Sequence, residues 1–384
     1  MKILFIQNIN SEEGGGGAEL LCQDILKSLE FRGHNCLMLT SNGCQGGDGI
    51  LNLLSINPFP HKSPEEYDLK DKVGWLLRSR RNYHVTKRVI EKFNPDVVYL
   101  HNLELVTLSP FTAAVDAGKR IVAHAHNEQY GLTYRALKNK EKESVISRAF
   151  KMRPGMERLR VIAISNYIAS TLLKEGLSKE RVHVIFNGLP REIMLSIGTG
   201  SPRDRKAIFV GSVSPHKGLH VAIEAISVLK RKGLRLPFEI IGKAGRDDYQ
   251  TEMTYLTRRL DLKEEVIFVG PLRREEIFSR LKSSEVLLVP SLFEEPFGLV
   301  VAEAMAAGAI VVGSDRGAIP ELVGEAGLIS TPEAEPFAAA IERALGLTED
   351  EKNRLRSIGI LRVKALFNLE RNISEIEKVL SLPA

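Results

Sequence analysis

A chain of 384 residues, 43% apolar and 26% charged, is long for one hydrophobic core and too ordinary in composition for a disordered, collagen-like or coiled-coil protein. Two domains are expected, with a cleft between them. The formal charge of +5 is uneven: residues 1–190 hold 26 Lys/Arg against 20 Asp/Glu, and the remainder 27 against 28. The first domain therefore carries the basic surface, but no recognised nucleic-acid motif accompanies it, so nucleic acid is not an expected partner.

At the start of the chain, MKILFI reads as a buried strand rather than a signal peptide, because neither a proper apolar h-region nor a small-residue cleavage site follows. No apolar run reaches the ~18 residues that would cross a bilayer. Cys22, Cys36 and Cys44 fit neither a disulfide framework nor a zinc spacing. These features together predict a cytoplasmic protein. From Ala18 to Arg32 the pattern is amphipathic, and NCLMLT, DVVYLHN and IVAHAHN follow as short apolar runs. That alternation is the rhythm of βαβ units around a parallel sheet.

The stretch 70–93, KDKVGWLLRSRRNYHVTKRVIEKF, interleaves Trp75, Leu76, Leu77 and Tyr83 with eight cations. One reading is a basic amphipathic helix that lies on anionic lipid at the inner face of the membrane. The other is a solvated charged face over a buried apolar stripe. A Gly, Ser and Pro-rich stretch, 188–205, marks a linker. AIFVGS, FEIIGK, VIFVGP, VLLVPS, AIVVGSD and AGLIS then repeat the strand rhythm and predict a second doubly wound sheet. The expected domains are 1–189, 190–365, and a terminal helical segment, 366–384, packing back on the first.

The most informative stretch is SLFEEPFGLVVAEAMAAGAIVVGSD, residues 291–315. Strand VLLVPS leads into Glu295, Pro296 suits a first helical position, and Ala302 to Ala307 are helix formers. The helix would open at the carboxyl end of a parallel strand and present the amides of Phe297 to Val300 to a diphosphate. Glu295 and Glu303 stand eight residues apart, at most about 12 Å along a continuous helix. Each carboxylate can accept two hydroxyl hydrogen bonds, as a sugar and a ribose diol require. Either glutamate alone is equally an ordinary capping or solvated acid.

EPFGLVVAEAMAAG resembles the E-x7-E signature of the family-four retaining glycosyltransferases of GT-B architecture. GGAEL, IVAHAHN, AISNYIASTLLKEGLSKERVHVIFNG, VGSVSPHKG and DRGAIPELV fall in the same order as in that family. The resemblance implies two Rossmann-like doubly wound parallel-sheet domains facing a deep cleft. It implies retaining transfer of a hexose-type sugar from a UDP- or GDP-sugar to a hydroxyl acceptor, such as a lipid-linked or cell-envelope glycan. Glu295 would touch donor-sugar hydroxyls and Glu303 the ribose, with Phe297, Gly298, Leu299 and Val300 holding phosphate. Gly16 and Gly17 match a loop that approaches the reacting phosphate, although four tandem glycines equally make a mobile loop. Lys217 would neutralise the leaving β-phosphate, the main electrostatic task of the reaction. Ser212 occupies a donor-side position where the family usually has Arg, so that task falls more heavily on Lys217.

His101, His124 and His126 each end an apolar run. His126 aligns with a family histidine beside the reacting sugar and is preferred to His124; alternation puts both on one strand face. His101 reads as a satisfied structural residue. A three-histidine zinc site would lack an acidic or Cys partner at ligand spacing. Glu321 matches a family glutamate but reads better as a helix N-terminal acid. Asn187 and Gly188 match an NG pair, and Pro190 stands where the family has Asp. Gly242, Lys243 and Val269 to Leu272 lie in turns whose backbone would read the base. No D-x-D occurs, so neither a metal nor any other cofactor is expected. The rival readings are a sugar-nucleotide epimerase of the same architecture and a non-catalytic nucleotide-sugar-binding partner protein.

Overall fold

In a computed structural model the described residues are 1–8, 17–41, 49–55, 69–103, 106, 108–127, 158–197, 203–245 and 248–383. Gly16, Cys44 and residues 128–157, which hold several of the first domain's cations, lie outside them. The chain divides into two compact units, Met1–Phe186 with Glu370–Ala384, and Asn187–Leu369. The division falls at Phe186/Asn187, slightly before the expected 189/190, and the return to the first unit is at Glu370 rather than 366.

The first unit is built on a seven-stranded sheet in the order β3-β2-β1-β4-β5-β6-β7. Its strands are β1 Lys2–Gln7, β2 Asn35–Ser41, β3 Ile50–Leu54, β4 Val97–Asn102, β5 Arg120–Ala125, β6 Leu159–Ala163 and β7 Val182–Val184, all parallel. After Lys2 every residue of β1 is buried, as a parallel strand covered on both faces requires. The helix Asn166–Lys174 starts at Ser165, whose side chain accepts from the Ile168 amide at 3.2 Å. The last helix, Leu369–Ser381, buries Ile373, Ile376, Val379 and Leu380. Arg32 donates to Ser374 and Glu377, and His34 Nε2 lies 2.7 Å from Glu377 Oε1. An apolar stripe and a polar latch thus seat that helix on the first unit.

The segment 70–93 falls in the helix Leu69–Phe93. Its second half buries Asn82, Thr86, Val89 and Ile90, with Asn82 bonded to Ser55 and to the Val106 carbonyl. Val73, Leu76 and Leu77 are exposed. The buried stripe under a charged face is therefore found in the second half of the helix, and the exposed apolar side chains lie in the first. Among the described residues no helix is long and apolar enough to cross a membrane.

The second unit holds a six-stranded parallel sheet ordered β10-β9-β8-β11-β12-β13. Here β8 is Asp204–Val210, β9 Phe238–Ile241, β10 Val266–Gly270, β11 Ser284–Val289, β12 Ile310–Ser314 and β13 Gly327–Ser330. Helices Leu219–Arg231 and Ala334–Gly346 pack on it through Leu219, Ile223, Ile226, Phe337 and Ile341, all fully buried. Strand order runs outward from β8 through β9 to β10, then reverses from β11 through β12 to β13. The switch point lies between β8 and β11, where ligands of open α/β sheets bind beyond the strands' carboxyl ends.

Candidate nucleotide-sugar site and histidine cluster

Two loops meet at this switch point. After β8 the chain makes a short turn, Pro215–Lys217, and Gly218 at φ 70° and ψ 24° caps the helix Leu219–Arg231. A Cβ on Gly218 would stand 1.9 Å from the Pro290 carbonyl oxygen, so only glycine lets this turn seat against the loop after β11. The Leu292 amide donates to the His216 carbonyl at 2.9 Å and fastens the two loops together.

That seating brings Lys217 to Glu295. Lys217 Nζ lies 2.7 Å from Oε2 and 3.0 Å from Oε1, while Ser291 Oγ donates to Oε2 at 3.2 Å. Glu295 is only 8% exposed. Its charge is matched by the ammonium, which also lies 4.8 Å over the Phe293 ring. Ser212 is exposed and bonds Ser214 Oγ at 3.0 Å, so the polar group in place of an arginine is engaged locally.

The helix after Glu295 is Leu299–Ala307, which corrects the expected start at Pro296. Gly298 takes φ 87° and ψ 67°, a left-handed conformation that cannot belong to the helix, and serves as its N-cap without a side-chain cap. Phe297 therefore precedes the helix and is buried against Phe367, while Leu299 and Val300 form the first turn. First-turn amides lack intrahelical acceptors and sit at the positive dipole end, which favours a bound anion.

Glu303, one turn inside, is paired with Arg274 of the helix Arg274–Ser283: Nε donates to Oε1 at 3.0 Å. Burial raises the Glu303 carboxyl above its ordinary range, and Arg274 opposes that rise. Arg274 was missed in sequence because it stands 29 residues away in a separate helix. The turns expected near the base are also here: Gly242 donates to the Gly270 carbonyl at 3.0 Å, and the Lys243 carbonyl accepts from Val213 at 3.0 Å. Lys243 is exposed and Val269 half-buried. Glu321 lies in the first turn of Ile319–Val323, and the Asn187–Gly188 pair begins the second unit.

In the first unit, Gly17 begins the helix Gly17–Phe31, which follows β1. The three histidines converge. His101 and His124 are buried, His126 keeps partial exposure, and ring nitrogens of all three lie within 4.8 Å of one another. His101 Nε2 bonds the Ala18 carbonyl at 2.8 Å, and His124 Nδ1 lies 2.6 Å from the Tyr99 hydroxyl. Burial lowers the His101 pKa to about 4, with the Ala18 bond opposing. Burial, then neighbouring rings, hold His124 and His126 well below the usual imidazole range. His101 Nε2 is thus held by the backbone, while its Nδ1 is buried without a hydrogen-bond partner.

Residues 15–192 match the family described as Glycosyltransferase Family 4, and residues 198–360 match Glycosyl transferases group 1. The chain belongs to the family-four glycosyltransferases. It is 32% identical over 181 residues to an uncharacterised glycosyltransferase of Methanocaldococcus jannaschii, a match spanning 44% of this chain and 45% of the relative. A 42.6 kDa protein in the cps region of Klebsiella pneumoniae is 22% identical over 341 residues, 84% of this chain and 87% of the relative. The structure of Anabaena HepE in complex with UDP and glucose superposes with TM-score 0.70 at 21% identity, covering 99% of each chain. That likeness shows the GT-B fold. Within this family member, Lys217, Glu295 and the helix start at Leu299 are brought to one end of one sheet, and Glu303 follows on the same helix. Gly17 and His126 belong to the other unit.

Proposed function

We propose that the protein is a retaining glycosyltransferase that moves a hexose-type sugar from a UDP- or GDP-sugar to a hydroxyl acceptor. The observation that carries this reading is the Lys217–Glu295 pair, 2.7 Å apart at the β8/β11 switch point, beside a helix start with no side-chain cap. A diphosphate on the amides of Leu299 and Val300 would offer Lys217 a second anion. As the ammonium turns to the β-phosphate, Glu295 is released to accept hydrogen bonds from sugar hydroxyls. Binding the donor thus arms both groups at once. Glu303 would receive the ribose diol in exchange for part of its bond to Arg274.

In transfer, the bond from the sugar's anomeric carbon to the phosphate oxygen breaks, and the acceptor oxygen bonds to that carbon from the same face. The departing phosphate takes the acceptor proton. No side-chain nucleophile is required, and Lys217 with the helix dipole carries the charge that a metal would otherwise neutralise. His126 would hydrogen-bond the donor sugar or the acceptor. UDP is the first nucleotide to try, since HepE is bound to UDP. The exposed Val73, Leu76 and Leu77, set among cations, suit an acceptor presented at an anionic membrane on the cytoplasmic side.

The test is transfer and donor hydrolysis by Glu295→Gln and Lys217→Ala. Loss of about 10²–10³ in turnover in each is expected; unaltered turnover in both overturns the site. Titration with UDP, GDP and ADP fixes the donor class. Incubation of the donor alone, followed by NMR of the sugar, would expose an epimerase.

A further inference from the structure

The register Leu100↔Ala123 between β4 and β5 makes His101 and His124 the next neighbours across the sheet. His126 follows two residues on, toward the same face. Ring centroids of His101 and His126 are 4.2 Å apart, those of His124 and His126 4.5 Å, and those of His101 and His124 5.0 Å. A carbonyl can only accept, so the Ala18 bond fixes the His101 proton on Nε2 and leaves a lone pair on Nδ1. That Nδ1 is buried without a hydrogen-bond partner, and so are Nε2 of His124 and Nε2 of His126. Three unpaired imidazole nitrogens in one place are not how a core histidine is ordinarily satisfied.

We propose that His101, His124 and His126 form a binding site for a zinc-like transition-metal ion. The donor set is three neutral imidazoles, which suit Zn²⁺ and its first-row neighbours rather than the oxygen-seeking Mg²⁺ or Ca²⁺. The opposite ring nitrogen of His101 is already held as such a ligand requires, Nε2 donating to the Ala18 carbonyl, and Nδ1 of His124 lies 2.6 Å from the Tyr99 hydroxyl, which can accept from it once an ion takes Nε2. Tetrahedral bonds of about 2.0–2.1 Å would set neighbouring nitrogens about 3.3–3.4 Å apart. One ligand nitrogen of each lies within 4.8 Å of the others, so the widest gap must close by at most about 1.4 Å when the ion binds. His126 is the least buried of the three, although its Nε2 is enclosed. A fourth position stays open to water or to an oxygen ligand. The assignment does not rest on the transfer reading, but a bound ion would take the Nε2 of His126.

The test uses the full chain, stripped with a chelator and titrated with Co²⁺ alone. One equivalent should bind with the visible d–d bands of a tetrahedral ion, and Zn²⁺ should abolish them. His126→Ala and His101→Ala, each shown folded by circular dichroism, should bind at least tenfold more weakly and lose those bands. Absence of the bands in the parent chain, or equal affinity and spectrum in folded His126→Ala, overturns the proposal.

Discussion

Lys217 Nζ stands 2.7 Å from Glu295 Oε2, and the two residues come from loops 78 positions apart. With Glu295 nearly enclosed and Lys217 about a quarter exposed, the pair is neither a surface ion pair nor a fully buried one. Lys217→Met combined with Glu295→Gln should give a coupling of about 0.5–3 kcal/mol in a denaturant cycle. Additive single effects would show that the two do not depend on one another.

Gly218→Ala places a methyl against the Pro290 carbonyl in a left-handed residue. The backbone strain alone costs about 1–3 kcal/mol, and the clash adds to it. Urea unfolding should report that loss, and nucleotide affinity should fall with it because the turn carries Lys217.

Arg274→Ala leaves Glu303 buried without its cation. The expected destabilisation is about 1–3 kcal/mol, below that of a fully buried pair because Arg274 keeps a third of its exposure. Adding Glu303→Gln should recover part of the stability but not the nucleotide affinity. Thermal unfolding with and without nucleotide separates the two effects.

The latch of the last helix is pH-sensitive. Glu377 is held below its ordinary value first by its bond to His34, then by Arg32. A carboxyl lowered in the folded state contributes stability that is present above the ordinary value of 4.5 and lost as the pH falls through the depressed one. The contribution is under about 1 kcal/mol, since Glu377 is a third exposed. Hydrogen exchange in Leu369–Ser381 should quicken below pH 4.5 in the parent chain. In Glu377→Gln it should be faster throughout and flatter with pH.

The strands of both sheets are legible because buried parallel strands read as unbroken apolar runs: KILFIQ and VLLVPS announce themselves. The glutamates of the E-x7-E stretch are legible for a similar reason, since the pattern is local. What escapes is anything fixed by neighbours distant in sequence. Arg274 meets Glu303 only through packing of two helices, and the histidines look like three separate strand ends until the β4/β5 register sets them side by side. The helix start was misplaced because Pro296 carries a strong local signal, whereas the left-handed turn at Gly298 depends on the path of the chain around Glu295.

The first unit is split in sequence, with residues 370–384 returning to it after the whole of the second has been threaded. During synthesis the second unit can therefore complete its core while the first still lacks a helix, although the first leaves the ribosome earlier. Until that helix arrives, the apolar surface that Ile373, Ile376 and Leu380 will cover stays open, and shortening the chain at its end wounds the half that was made at its beginning.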